Sequence, residues 1–191
     1  MSELRCLEAK NGFYAESFVI PSDLSNFTER PVALRWYGYE HLNDKEGIED
    51  VGNYFGLHPL LIEDIVHQNQ RPKLDEQGQL LLVTVPTFSW NPEKMEVTRK
   101  QINILWREND LVTFASSEKD LLEPVRQRIR RGKRSHYRDL HPDFLFCAVL
   151  DLLVDQHLEF LDEICDSLIL MEETLSEKPD PQLLQEVYRL L

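Results

Sequence analysis

Residues Tyr54–Lys73 read YFGLHPLLIEDIVHQNQRPK, and the His58-Pro59 step inside them restarts the chain. Before it, Asn43–Phe55 has the pattern of an amphipathic helix. Asn43 or Asp44 is its candidate cap, and Ile48, Val51, Tyr54 and Phe55 share one face. After it, Pro59 suits a first helical position and leads into a second short helix, LLIEDIV. Working outward from this helical pair, Phe13–Ile20 and Val32–Tyr37 read as strands upstream. Downstream, Gln79–Phe88, Val97–Trp106 and Leu111–Ala115 are strand-like, separated by turn-forming stretches at Asp75–Gly78 and Asn91-Pro92. Pro86 inside the first of these strands calls for an edge or a bulge, because proline cannot donate to a ladder. Ser117–Arg131 reads as a helix opened by Ser117 with Asp120 at its third position. Strands interleaved with helices make residues 1–138 an α/β domain.

Residues 139–191 read as helical. Pro142 and Pro179 bracket a single helix of roughly 36 residues, about 54 Å long at 1.5 Å per residue. Along it Val154, Leu158, Leu161, Cys165, Leu168 and Leu175 follow alternating four-three spacing, a coiled-coil-like seam interrupted at Glu172. Beside the seam runs a stripe of carboxylates, Asp155, Glu159, Asp162, Asp166 and Glu173. Asp180-Pro181 then opens a further amphipathic helix carrying Leu183, Leu184, Val187, Leu190 and Leu191. The sequence stops inside it without a C-cap, so more chain is expected downstream.

The 191 residues carry 21 Lys and Arg against 34 Asp and Glu, a net charge of −13. That balance argues against nucleic-acid binding, which needs a basic footprint. It suits cations or basic partners. The charge is segregated. Arg126–Arg138 holds seven basic residues in thirteen and no acid, whereas Asp139–Glu177 holds eleven acids and no Lys or Arg. Of the three cysteines, Cys147 and Cys165 fall on one helix too far apart to bridge. Buried, reduced thiols in a cytosolic protein are expected. No signal-peptide hydrophobic region opens the sequence, and no uninterrupted apolar run is long enough to span a bilayer.

Nucleophilic catalysis has no visible support: the sequence lacks GxSxG, a P-loop and a dinucleotide-binding glycine motif. Two groups of carboxylates remain. Glu63, Asp64 and His67 lie on one short helix, and adjacent carboxylates suit Mg2+, which keeps several waters and takes one or two protein oxygens. The same spacing also describes a solvated helix face. Asp151, Asp155 and Glu159 are successive i, i+4 carboxylates, and like charges at that spacing cost roughly 0.2–0.5 kcal/mol per pair. Asp151 interrupts the apolar run FCAVLDLLV, so it needs a partner or a subunit boundary. Either a cation compensates this row or water does. The basic run Arg126–Arg138 could grip phosphates or anionic lipid, or could simply balance its acidic neighbour.

The FGLHPLLIEDI…QRPK segment, together with QINILWRENDLVTF, EPVRQRIR and the LDLLVDQHLEFLDEI pattern, resembles the cytoplasmic domain of CorA-type magnesium and cobalt transporters. The resemblance covers nearly the whole chain and thins before about residue 30. It implies a three-layer α/β/α domain around a mixed sheet, followed by two long acidic antiparallel helices, the second incomplete. The family's stalk, membrane spans and Gly-Met-Asn signature have no counterpart in these residues. It further implies a homopentamer in the full-length protein, at the cytoplasmic face of the inner membrane, touching the bilayer only through the missing C-terminal part. Regulatory Mg2+, with Co2+ or other divalent cations as alternatives, would bind between subunits and hold the pore closed. By position Asp64 matches the principal inter-subunit site, Glu63 and Asp151 match a second, and Asp155 lies nearby. His67 matches no ligand position. The function implied is that of a regulatory, non-enzymatic divalent-cation sensor.

Two other readings stay beside it. A zinc-transporting member of the same superfamily would share the architecture. A Mg2+-dependent phosphohydrolase could use Glu63, Asp64, Asp151 and Asp155, with Arg126–Arg138 on the phosphate, but it lacks an identifiable nucleophile or base.

Overall fold

The computed structural model describes residues 2–10, 13–27, 32–115, 120–131 and 141–177. Seven strands, β1 (Leu4–Lys10), β2 (Phe13–Val19), β3 (Leu34–Tyr39), β4 (Lys73–Gln77), β5 (Leu80–Asn91), β6 (Glu96–Arg107) and β7 (Asp110–Phe114), form one sheet in the order β2-β1-β3-β7-β6-β5-β4. β3 and β7 run parallel, while β1–β2, β1–β3, β4–β5 and β6–β7 are antiparallel, so the sheet is mixed. The helices are the short α1 (Leu24–Phe27), α2 (Lys45–Phe55), α3 (Pro59–Val66), α4 (Glu123–Arg131) and α5 (Pro142–Glu177).

Both sheet faces are covered, and strand alternation shows how. On one face Leu4, Cys6, Tyr37, Tyr39, Leu105, Val112 and Phe114 join Ile48, Val51 and Phe55 of α2 and Ile62 and Ile65 of α3 in one core. Trp36 and Trp106 point the other way. Arg126 of α4 lies over the Trp36 ring and Phe146 of α5 packs 5.4 Å from Trp106. These contacts put α4 and the start of α5 on the second face, giving the expected three-layer α/β/α arrangement. β1 shows why one strand escaped the sequence reading. Leu4, Cys6, Leu7 and Ala9 are all buried, so burial on both faces erases the alternation that marks a half-exposed strand.

Local chemistry sets the helical pair. Asp44 caps α2, its Oδ1 accepting from the Gly47 N–H at 3.1 Å. Gly56, at φ 72°, ends it in a left-handed turn, with the Leu57 N–H bonded to the Gly52 carbonyl at 2.9 Å. His58 caps α3 through Nδ1, and Pro59 occupies the first turn as expected. Gln77 of β4 clamps this junction, donating to the Gly56 carbonyl and accepting from the His58 N–H, both at 2.9 Å.

Three expectations need correcting. Asp75, Glu76 and Gln77 belong to strand β4 rather than a turn; the reversal is made by Gly78, at φ 64°, and Gln79, and an edge strand tolerates polar residues. Helix α4 starts at Glu123, with Asp120 before it accepting from the Leu122 N–H at 3.2 Å, while Ser117 lies outside the described residues. Of the cysteines only Cys6 is buried; Cys147 and Cys165 are exposed, because they sit off the stripe through which Leu145, Val149 and Leu152 bury α5. Pro86 conforms to the edge expectation: the last β4 partner of β5 is Lys73 opposite Thr84, so β5 has outrun its neighbour by the proline.

The chain separates into two compact units, Met1–Pro86 with Lys100–Leu152, and Thr87–Arg99 with Leu153–Leu191. The first contains the core above. In the second, Phe88 stacks on Phe160 at 5.3 Å, meets His157 edge-on, and the Trp90 indole donates to Ser167 Oγ at 2.8 Å. Helix α5 runs the expected 36 residues. Its seam residues Val154, Leu158, Leu161 and Leu168 are exposed. The Leu175 side chain, Pro179, the helix expected after Asp180-Pro181 and the basic residues after Arg131 lie outside the described residues.

Candidate functional site

Ile62 and Ile65 anchor α3 to the core and thereby turn Glu63 and Asp64 outward. Asp64 does not stand alone. Its Oδ2 lies 2.6 Å from Lys73 Nζ on β4, and the same ammonium lies 3.0 Å from Asp75 Oδ2. Lys73 and Asp75 share a strand face, which is why one ammonium reaches both carboxylates. The three side chains keep 21%, 31% and 33% of their surface for Asp64, Lys73 and Asp75, partly sheltered but reachable by solvent. The Asp64 hydrogen bond holds the Lys73 pKa above its ordinary value against partial burial, with Asp75 adding to the effect.

The backbone between α3 and β4 is held from β6. Gln101, almost wholly buried, donates from Nε2 to the Asp64 carbonyl at 3.1 Å and accepts at Oε1 from the Gln70 N–H at 2.9 Å. One amide thus grips both Asp64 and the loop leading to Lys73. Lys73 closes the QRPK segment, but nothing in the sequence pairs it with Asp64, and neither Asp75 nor Gln101 stands out. The signal for the Lys73–Asp75 pair is the Lys-Leu-Asp alternation, which becomes informative once residues 73–77 are known to be a strand.

Glu63 is more exposed. Its Oε1 lies 3.5 Å from His67 Nε2, with both side chains more than half exposed, a contact worth about 0–1 kcal/mol. His67 ends α3, its N–H bonded to the Glu63 carbonyl. Asp151 and Asp155 lie one turn apart on α5 and are exposed, as are Glu159, Asp162, Asp166 and Glu173. The structure therefore sets Glu63 beside Asp64 and Asp151 one turn from Asp155. Among the described residues no three His, Cys, Asp or Glu side chains of one chain are grouped to hold a metal ion.

The donor chemistry at Asp64 nevertheless fits Mg2+. Carboxylate oxygens are the hard ligands that ion takes, and two of them already converge on a cation, the Lys73 ammonium. The start of the basic run is differently employed. Arg126 is buried, with its guanidinium 4.9 Å over Trp36, paired to Asp120 and 3.7 Å from Glu40. Arg130 bonds Glu16 and Glu123. These two cations are committed within the chain and are not available to a phosphate.

A model of the CorA-like Mg2+ transporter protein family matches residues 32–191, and the chain belongs to that family. The cobalt/magnesium transport protein CorA of Thermotoga maritima is 28% identical over 155 residues, covering 81% of this chain. The chain spans only 44% of that relative's length. Among solved structures, the complete CorA magnesium transporter of Methanocaldococcus jannaschii superposes with a TM-score of 0.75 at 13% identity, over 98% of this chain and 56% of that one. The soluble domain of the same transporter gives 0.72 at 14% identity, over 97% and 69%. The ZntB cytoplasmic domain of Vibrio parahaemolyticus gives 0.57 at 13% identity, over 95% and 68%. The fold is thus that of a CorA soluble domain. No helix among the described residues is long and apolar enough to cross a membrane.

Proposed function

We propose that this chain is the cytoplasmic, Mg2+-sensing regulatory domain of a CorA-type magnesium or cobalt channel-transporter, and that five copies assemble in the complete protein. Asp64 would hold a divalent ion together with a carboxylate of the stalk. Glu63 and Asp151 would form a second inter-subunit site, with Asp155 beside it. One observation carries this reading: α5 presents an exposed row of carboxylates with no Lys or Arg between residues 139 and 177. Such a row repels an identical row on a neighbour, and the repulsion is greatest when subunits close tightly. A divalent ion in the seam reverses the sign and favours the closed arrangement. Coupling of about 1–3 kcal/mol per site is typical, and several equivalent sites approach the roughly 5.5 kcal/mol that moves a 1:99 equilibrium to 99:1. Weak individual sites suffice for an abundant intracellular ion.

The test is transport by the complete protein carrying Asp64→Ala, Glu63→Ala and Asp151→Ala together. Closure by Mg2+ should shift to higher concentration. An unchanged Mg2+ dependence would remove these residues from the sensor. The likeness to a ZntB cytoplasmic domain keeps a zinc-transporting member of the superfamily as a second reading. Comparing Mg2+, Co2+ and Zn2+ uptake by the complete protein separates the two.

A further inference from the structure

The reading of Asp64 as a metal ligand leaves the ammonium already on its carboxylate without a role. We infer that Lys73 is a tethered counter-ion that occupies the Asp64 seat when the divalent ion is absent, moves onto Asp75 when the ion arrives, and so sets the concentration at which the ion is sensed. The inference rests on the assignment of Asp64 above and names the device that tunes it.

The geometry supplies each part. Lys73 Nζ touches Asp64 Oδ2 at 2.6 Å and Asp75 Oδ2 at 3.0 Å, so it has a second anionic partner without leaving its strand. That second partner is under-used: Asp75 Oδ2 is a buried acceptor that makes no well-directed hydrogen bond, despite the nearby ammonium. A rotation of the lysine stem towards Asp75 would improve that bond while freeing Asp64. The backbone can stay still, because Gln101 holds both the Asp64 carbonyl and Gln70 from inside the sheet. Only a flexible lysine stem moves.

Competition follows from charge. Mg2+ binds carboxylate oxygen at about 2.1 Å. An ion on Asp64 Oδ2 would then lie no more than about 5 Å from an ammonium left in place, like charges at short range in a partly sheltered pocket. Either the ammonium yields or the ion binds weakly, and both raise the concentration needed for occupancy. A lysine is suited to this task, since its point charge sits on a flexible stem. Between them, the two carboxylates keep that charge balanced in either position.

The experiment measures Mn2+ binding by electron paramagnetic resonance, with displacement by Mg2+, to the complete transporter chain in detergent. It compares wild type with Lys73→Gln, Lys73→Arg, Asp75→Asn and Asp64→Asn. The binding component lost in Asp64→Asn defines the site. Lys73→Gln should tighten that component by roughly tenfold, within the range typical of coupled sites. Lys73→Arg, which keeps the charge, should leave it at or below wild-type affinity. Asp75→Asn should weaken it several-fold by confining the ammonium to Asp64. Thermal unfolding of each variant checks that the fold is retained. Equal or weaker binding by folded Lys73→Gln would overturn the counter-ion role and leave Asp64 as a ligand. If Asp64→Asn loses no binding, the ligand assignment itself fails, and this inference with it.

Discussion

The guanidinium of Arg126 lies 4.9 Å over the indole of Trp36, and that indole donates to Thr113 Oγ1 at 3.1 Å on the neighbouring strand. A cation from α4 is thus held against the sheet between an aromatic face and two carboxylates, Asp120 and Glu40. With only 4% of its side chain exposed, Arg126 is a structural residue despite its place in a basic run. Arg126→Ala should cost about 3 kcal/mol, because it removes one partner of a largely buried ion pair. Arg126→Lys should recover only part of this, since an ammonium cannot stack on Trp36 and bond Asp120 in the same fork. Urea unfolding of the three proteins measures the order.

Gly52 is placed for contact. A Cβ there would lie 2.7 Å from both Cδ1 and Cγ1 of Ile62, where α2 crosses α3. Helix propensity alone favours alanine by about 1 kcal/mol. Overpacking costs about 1–3 kcal/mol, so Gly52→Ala should destabilise on balance. In an Ile62→Ala background the clash is gone, and the same substitution should stabilise. A double-mutant cycle by denaturant unfolding reads the change of sign.

Asp44 couples helix capping to acid stability. The Ser2 hydroxyl, the Gly47 N–H and the Tyr39 hydroxyl donate to its carboxylate and hold its pKa below the ordinary 3.8, against slight desolvation. A depressed folded-state pKa means the stabilisation is present above the unfolded value and is lost as pH falls through the folded one. Asp44→Ala should cost about 1 kcal/mol near neutrality through loss of the cap. The gap between variant and wild type should narrow below the ordinary carboxylate range. Unfolding curves across pH 2–7, about the range in which carboxylates titrate, check both the size and the direction.

Thiol labelling distinguishes the cysteines. Cys6 is buried in the main core, and burial pushes its thiol pKa well up, so it should resist a thiolate reagent until the protein unfolds. Cys147 and Cys165 are exposed on α5 and should react in the native state. Mass spectrometry after brief labelling should therefore find modification at Cys147 and Cys165, with Cys6 unlabelled.

The carboxylate row on α5 should respond to a single inserted charge. Glu159→Lys converts the Asp155–Glu159 repulsion into an attractive i, i+4 pair, and the new ammonium also faces Glu163 one turn on. A gain of roughly 0.5–1 kcal/mol is expected at low ionic strength, shrinking in high salt as screening shortens the range of both effects. Thermal melts at two salt concentrations measure it.

Much of the architecture was legible residue by residue. Asp44, His58-Pro59 and the long helix up to Glu177 stand where capping chemistry and periodicity put them, because those signals act within one or two turns. The same holds for the carboxylates Glu63, Asp64, Asp151 and Asp155, whose neighbours along a helix follow from spacing alone. β1 was not legible, since a strand covered on both faces has no alternation to show.

What only the folded chain decided are partnerships between distant residues. Gln101 meets the Asp64 carbonyl across 37 residues, and Arg126 reaches Trp36 from a helix on the far side of the sheet. Lys73 becomes a counter-ion for Asp64 only because β4 takes the sheet edge beside α3, which turns a stretch of turn-like composition into a strand with its Lys and Asp on one face. Composition and spacing state which charges a chain owns. Strand order and register decide which of them meet, because electrostatic pairing depends on separation in space, and the sheet sets that separation.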